Sequence, residues 1–288
     1  YETKKTLIPC FESLKFLTSH LSHYLKKNKV FNCIKYTETC NIMDKWILSC
    51  MGTLVKYIDV EMHQYKLYTI LPKITGFIEN LTNWYVKLNR HRIKGIDQSS
   101  SEWETALSVL YYTLLSYAKI SAPFTPLMSE YMYSHLKIFL SNETQCDSIF
   151  MCDYPEPVNF PSDSLIEKKI DNLRTVMNMV RVIRAKTPKL SSVKIPLKSI
   201  TVANDSVEFL NHMKELEEYF YDEINTLAIN LSDLKEIVKY NILPNHKVIG
   251  VKYKKDAKKI KSYISSLTEL EINTLMANDS INIVIENS

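Results

Sequence analysis

The sequence predicts a mostly α protein, with a helix bundle over residues 1–190 followed by a small mixed α/β (α+β) module over residues 191–288. Three observations predict it. Apolar residues recur every three or four positions through most of the first 190 residues, the spacing of amphipathic helices. Prolines at 155, 157 and 161 punctuate that region and mark a linker over 148–162. Beyond Pro188 the period shifts to short alternating or apolar runs with helical stretches between them.

The first helix is predicted over Thr6–Lys27, with Phe11, Leu14, Leu17, Leu21 and Leu25 on its buried side. Residues 30–39 read as a connector. Asn41 is a candidate cap for the second helix, with Asp44 in the first turn, where a carboxylate suits the helix dipole. Met43, Ile47, Cys50, Leu54 and Ile58 mark its buried stripe. Gln64–Leu67 reads as a turn into a third helix that carries Ile74, Phe77, Ile78, Leu81, Trp84, Tyr85 and Leu88 inward. Asn83, Lys87, Arg90 and Lys94 form an offset second stripe, and Gly95, free to adopt the left-handed conformation, stops the helix. Pro72 belongs near the start of that helix or at a kink.

Ser101 and Glu104 have capping-box spacing ahead of a helix burying Trp103, Leu107, Leu110, Leu114 and Ala118. Ala122-Pro-Phe-Thr-Pro126 ends that helix, because a residue before proline disfavours helical angles. Leu127, Tyr131, Leu136 and Phe139 predict one more short helix, and Ile149-Phe-Met151 a short extended run. Ser162 or Asp163 caps a final bundle helix with Ile166, Ile170, Leu173, Met177, Val180 and Ile183 inward. In the second module, Leu197–Ala203, Leu227–Leu231 and Ile281–Ile285 read as strands, and Val207–Tyr221 and Lys254–Leu267 as helical.

Composition excludes several function classes. The chain is 45% hydrophobic and 24% charged, with a net charge of +4 and a mean hydropathy of −0.15. No apolar run approaches a membrane span, no amino-terminal segment reads as a signal peptide, and a start at Tyr1 rather than Met fits a piece of a longer protein. The four glycines, at 52, 76, 95 and 250, are too scattered to cradle a phosphate or build a nucleophile elbow. The six cysteines form no Cys-x-x-Cys pair, so they read as free thiols rather than zinc ligands or a disulfide framework. His20 and His23 lack a nearby Cys or carboxylate partner and read as helix-surface residues. The pairs Glu102/Glu104 and Glu217/Glu218 fit helix surfaces, so no catalytic constellation is predicted.

Three basic clusters stand out. In Arg90-His-Arg-Ile-Lys94 the cations either offset the dipole at a helix end and bond its free carbonyls, or meet the phosphates of a nucleic acid. Arg174, Arg181 and Arg184 share a helix face and lead into Lys186, Lys189, Lys194 and Lys198, which is either a phosphate track or a solvated face. The run Lys252, Lys254, Lys255, Lys258, Lys259, Lys261, interrupted by Asp256, reads as a solvated helix.

The blocks Asn41-Ile-Met-Asp-Lys-Trp-Ile47, Tyr65-Lys-Leu-Tyr68, Pro72-Lys73, Phe77-Ile-Glu-Asn-Leu-Thr-Asn-Trp-Tyr85 and Asn89-Arg-His-Arg-Ile-Lys-Gly95 occur in that order. Ala122–Pro126, Tyr154-Pro-Glu-Pro157, Arg181–Arg184, Pro196-Leu-Lys198 and Val248-Ile-Gly250 follow. Together they resemble the isoleucyl-tRNA synthetases of the eukaryotic cytosolic type, from near Leu7 to near Leu267. His91 stands where the family block usually carries another Arg, and the zinc-holding cysteine pairs of the bacterial enzymes have no counterpart.

The resemblance implies a helical anticodon-binding domain with part of a carboxyl-terminal extension, from a cytoplasmic class I synthetase. The His-x-Gly-His and Lys-Met-Ser-Lys-Ser signatures of the catalytic domain are not in this sequence, nor is the inserted editing domain. The implied partners are isoleucine tRNA and the catalytic domain of the same polypeptide, with no membrane and no DNA. The implied parent enzyme joins isoleucine to its tRNA with ATP and magnesium, and no cofactor or catalytic residue is expected within this chain. Arg90, Arg92, Lys94, Arg181, Arg184 and Lys186 are expected to contribute to an RNA-facing surface, mostly through phosphates. Bases would be read in the single-stranded loop, because A-form helices hide their edges in a narrow major groove. The rival expectation is a non-catalytic helical scaffold for protein partners, with the basic faces merely solvated.

Overall fold

The computed structural model describes residues 6–28, 31, 41–96, 98–140, 145–234, 242–247, 249, 257–268 and 271–272. The chain divides into two compact units, one of residues 1–198 and 212–228, the other of residues 199–211 and 229–288. Most of the connector predicted at 30–39, the strand predicted at Ile281–Ile285, and Val248, Gly250, Lys252, Lys254 and Lys255 lie outside the described residues.

The first unit is helical. Helix α1 spans Leu7–Asn28, α2 Ile42–His63 and α3 Leu67–Asn80. A wider π-helical turn at Leu81–Val86 and the short α4, Arg90–Ile93, follow. Helix α5 runs over Ser100–Ser121, α6 over Pro126–Leu136 and α7 over Ser164–Lys186. Helix α2 lies at the centre and packs against α3, α5 and α7, while α1 packs against α5 and α6. Leu14, Leu17 and Leu21 of α1, Trp46, Ile47, Met51 and Ile58 of α2, and Leu107, Leu110 and Leu114 of α5 are buried. That apolar burial is the main favourable term holding the bundle together.

The caps show how the sequence sets the helix ends. The Asn41 side chain accepts from the backbone N–H groups of Met43 and Asp44, and Asp163 accepts from Leu165 and Ile166, so Asp163 rather than Ser162 caps α7. At α5 the cap lies two residues earlier than predicted. Ser99 accepts from the Glu102 N–H at 3.2 Å, because Glu102 stands three residues on and meets the same spacing rule. Gly52 allows a close approach of the linker, since a Cβ there would lie 2.9 Å from Phe160 Cβ and 3.0 Å from the Pro161 carbonyl. Behind it, Ser49 and Thr53 both donate to Glu167 of α7, at 2.5 and 2.9 Å.

Other expectations are corrected. Ile149–Met151 is a 3-10 turn, with Ser148 capping it, instead of an extended run. Helix α6 buries Ser129, Met132, Tyr133 and Leu136 and leaves Leu127 and Tyr131 exposed, and Tyr111 donates to the Leu136 carbonyl at its end. The apolar part of the buried stripe of α7 ends at Met177, Ile183 lies 64% exposed, and the next buried residue is Arg184. Pro72 sits in the second turn of α3 without ending it.

The segment 212–228 completes the first unit. Its pieces are the end of α8 (Val207–Glu215), α9 (Glu218–Phe220) and a second π-helical turn at Tyr221–Asn225. Phe220 and Ile224 are buried, and Leu197 bridges to Thr226, donating to the Asn225 carbonyl at 2.8 Å. In the second unit, β1 (Ile200–Ala203) pairs in parallel with β2 (Ile229–Ser232), from Ile200 opposite Ile229 to Ala203 opposite Ser232. Helix α10 covers Ala257–Ser265. No described helix is long and apolar enough to cross a membrane.

Candidate nucleic-acid interface

The interface begins with how α3 is continued. At Leu81–Val86 the helix widens by a residue per turn, and the Thr82 hydroxyl bonds back to the Ile78 carbonyl at 2.8 Å. The widening lets Leu81, Trp84 and Tyr85 all turn inward. Beyond it, α4 closes in a Schellman motif: the Ile96 N–H reaches the His91 carbonyl and the Gly95 N–H the Arg92 carbonyl, both at 3.1 Å. Gly95 has φ +67°, and an added Cβ would fall within 2.8 Å of three Trp103 ring atoms. That ring is fixed in turn by its Nε1 donating to the Ile93 carbonyl at 2.8 Å. Gly95→Ala should therefore lower the stability of the first unit by about 2–4 kcal/mol, combining left-handed strain with overpacking. Denaturant melts followed by tryptophan fluorescence read this directly, since Trp46, Trp84 and Trp103 are the chain's three tryptophans and all lie in that unit.

Arg92 is turned inward, contrary to its expected place on a surface. It is only 8% exposed and grips Asp44 of α2 with both terminal nitrogens, at 2.8 and 2.6 Å, while its Nε meets Glu102 of α5. Tyr85 donates to the same Asp44 carboxylate at 2.7 Å, and Asn89 accepts from Arg92 at 3.2 Å. Burial opposes the Arg92 charge, but the hydrogen bonds and charge of Asp44 outweigh it and raise the guanidinium above its ordinary range. Burial first, and Asp44 second, push the Tyr85 phenol well up, so it stays protonated as a donor. Asp44 lies in the first turn of α2, as predicted, and from there also ties α2 to α4 and the π-helical turn.

With Arg92 inside, its neighbours face out. Arg90 is exposed and Lys94 half-exposed. Arg90 and Lys87 line one wall of a groove of about 520 Å³, whose other wall is Glu12, Lys15, Phe16 and Ser19 of α1. His20, one turn on, packs edge-on against Phe16 with ring centroids 4.5 Å apart. Partial burial first, and then the charges of Lys94, His23 and Arg90, hold the His20 pKa below its usual value. A concave wall with cations on both sides and an aromatic ring between them suits a phosphate-bearing strand whose bases can stack.

Lys87 joins this groove to a second cluster. Its Nζ donates to Glu223 at 2.5 Å, and Arg181 of α7 donates to the same carboxylate oxygen. Arg181 also donates to Asn178 at 3.0 Å and lies over the Trp84 ring, 4.9 Å from its centroid, with Arg174 at 5.2 Å from the same ring. Lys186 is exposed at the end of α7.

Arg184 is the second inward arginine. It is 3% exposed and donates to the carbonyls of Ser192, Ile195 and Ile224, at 2.7, 2.6 and 3.4 Å. Its place on the α7 face that buries Leu173 and Met177 takes it into a turn whose carbonyls accept from its guanidinium. Of the six predicted residues, Arg90 and Lys94 fall together, Arg181 stands beside them through Lys87, Lys186 lies further along α7, and Arg92 and Arg184 are internal supports. Sequence reasoning missed Lys15, Phe16, His20 and Glu223, which come from distant stretches and carry no local motif. Lys87 was legible as a member of the Arg90/Lys94 stripe.

Metal chemistry is not prepared among the described residues, where no three His, Cys, Asp or Glu side chains form a group able to hold an ion. Cys10 is a buried thiol pushed up to about 12 by that burial, while Cys50, Cys146 and Cys152 are half-buried and free. Cys33 and Cys40 lie outside the described residues.

Comparison with known proteins adds an independent line. Residues 44–198 match the family described as the anticodon-binding domain of tRNA ligase. The chain is 32% identical over 288 residues to the cytoplasmic isoleucine–tRNA ligase of Saccharomyces cerevisiae, covering 97% of this chain and 27% of that protein. It is 34% identical over 285 residues to the probable cytoplasmic isoleucine–tRNA ligase of Dictyostelium discoideum, covering 98% and 26%. The cytoplasmic isoleucine–tRNA ligase of Mus musculus is 32% identical over 289 residues, covering 96% and 22%. The chain thus spans about a quarter of the length of the curated relatives it matches.

Proposed function

Because this chain belongs to the family of anticodon-binding domains of tRNA ligases, we propose that it grips the anticodon arm of isoleucine tRNA within a cytoplasmic isoleucine–tRNA ligase. Its task is to hold the tRNA so that the acceptor end reaches a catalytic domain outside this chain. The observation that carries the reading is the match across nearly the whole chain to isoleucine–tRNA ligases, several of them named cytoplasmic. The convergence of Lys15, Lys87 and Arg90 on the two walls of one groove, with Lys94 one turn beyond Arg90, supports it from the side of chemistry.

The division of labour follows from the physics of nucleic-acid contact. Cations on a rigid bundle meet phosphates and set register, while single-stranded bases supply identity through stacking and edge contacts. Arg90, Lys94, Arg181 and Lys186, with Lys15 and Lys87, serve phosphates in this reading. Arg92 and Arg184 serve by holding α4 and the turn after α7 in place. ATP and magnesium would act in the parent enzyme, but the described residues of this chain do not fit them, having neither a metal-holding group nor a glycine-rich phosphate loop. No step is assigned to them here.

Exposed Tyr65, Leu67, Tyr68 and Leu71 favour a protein contact at the α2–α3 turn. In the proposed reading that partner is the rest of the same polypeptide, while in the rival reading the chain is a scaffold alone. A gel shift of the full-length protein with isoleucine tRNA and an unrelated tRNA, at two salt concentrations, separates them. Tighter binding to isoleucine tRNA that weakens steeply with salt is expected. No binding to either would leave the scaffold.

A further inference from the structure

We propose that Lys87 and Arg181 form a binding site for one phosphodiester group, and that Glu223 occupies it as an internal substitute until an RNA phosphate displaces the carboxylate. This deepens the proposed function and rests on it. The geometry is that of an anion site already filled. One Glu223 oxygen receives both Lys87 and Arg181, and the Glu223 side chain is 8% exposed whereas those of the two cations are 51% and 36% exposed. The anion is enclosed while both cations open to solvent, so a second anion can reach them from outside.

The cations are also held as a receptor would hold them. Arg181 is braced by the Trp84 face and by Asn178, and Arg174 lies against the same ring. Lys87 keeps donors beyond the one given to Glu223, because an ammonium has three. Counting Lys87, Arg174 and Arg181 against Glu223 and Asp171, which pairs with Arg174, leaves the cluster positive by one charge, and Arg90 stands three residues after Lys87. A phosphodiester brings the same unit charge as the carboxylate, two free oxygens for the two cations, and the counterion release that accompanies polyanion binding. Glu223 would need only to swing on its own side chain to leave.

The test is a double-mutant cycle on tRNA affinity in the full-length protein. Glu223→Gln should tighten binding roughly fivefold, a size suited to losing one competing, partly exposed ion pair. The gain should vanish when Lys87 and Arg181 are both alanine. Glu215→Gln, which frees Lys169 by removing the same charge elsewhere in the unit, should give a smaller gain. An equal gain in both backgrounds, or no gain in a protein whose tryptophan fluorescence melt is unchanged, would overturn the proposal. Should Glu223→Gln fail to fold, Glu223→Asp, which withdraws the carboxylate by one methylene, must tighten binding in the same way, and no tightening overturns it too. If the unaltered protein binds no tRNA, the functional reading itself has failed. If it binds but ignores Glu223, only this inference has.

Discussion

Arg92→Met should lower the stability of the first unit by about 3–5 kcal/mol, because it leaves Asp44 charged, fully buried and short of its bidentate partner. Asp44→Asn should cost less, because the guanidinium loses its bidentate carboxylate but keeps Glu102 at its Nε and Asn89 at a terminal nitrogen. Replacing both by apolar residues of similar volume should recover much of the loss, since a buried ion pair contributes little over a well-packed apolar pair. Denaturant melts read by tryptophan fluorescence would show the two single losses and the partial recovery, and a double variant whose loss equals their sum would mean that the two groups act independently. The expected consequence for RNA is indirect: Arg90 and Lys94 lose their fixed outward direction when the Asp44–Arg92–Tyr85 cluster that orients α4 is broken.

Neutralising Lys15, Arg90 and Lys94 together should act differently, leaving stability within a few tenths of a kcal/mol while weakening tRNA binding. These cations stand on the surface, where single charges contribute little to folding. Each phosphate contact removed lowers the slope of log affinity against log salt by roughly 0.7–0.9, so three contacts lower it by about 2–3. The loss should be of the same size for isoleucine tRNA and for an unrelated tRNA, because phosphate contacts carry no sequence information. Neutralising Lys258, Lys259 and Lys261 of α10 removes equal charge and should leave the slope in place, in keeping with their reading as a solvated helix face.

Most of the bundle was legible because burial dictates spacing. The stripes of α2 and α5, and that of α1 apart from Phe11, which lies 39% exposed, follow from three-and-four periodicity, the Asn41 and Asp163 caps from a side-chain acceptor at the helix start, and the Gly95 stop from one residue's backbone freedom. The errors have physical causes as well. In α6 the period alone left the inward face open, and the closed bundle takes Met132, Tyr133 and Leu136 inward. The widened turn at 81–86 has no sequence signature, since π-helical geometry depends on how neighbouring helices receive the side chains.

The candidate site was half legible for a related reason. Arg92 and Arg184 were read from their charge, yet each falls seven residues after a buried position, Tyr85 and Met177, on the same helix face. Periodicity therefore marked both as inward, and charge hid it. Exposed Lys87 and Arg90 and half-exposed Lys94 share the opposite stripe. What no local pattern could supply was the pairing of that stripe with α1 and with Glu223, more than 130 residues away, because such contacts depend on the whole bundle being closed.

The most direct measurement is a salt titration of isoleucine tRNA binding by the full-length protein, with and without Lys15, Arg90 and Lys94. The account predicts steep salt dependence for the unaltered protein and a slope shallower by about 2–3 for the triple variant, with the fold intact in both. An unchanged slope in a folded triple variant would contradict the assignment of this groove to RNA.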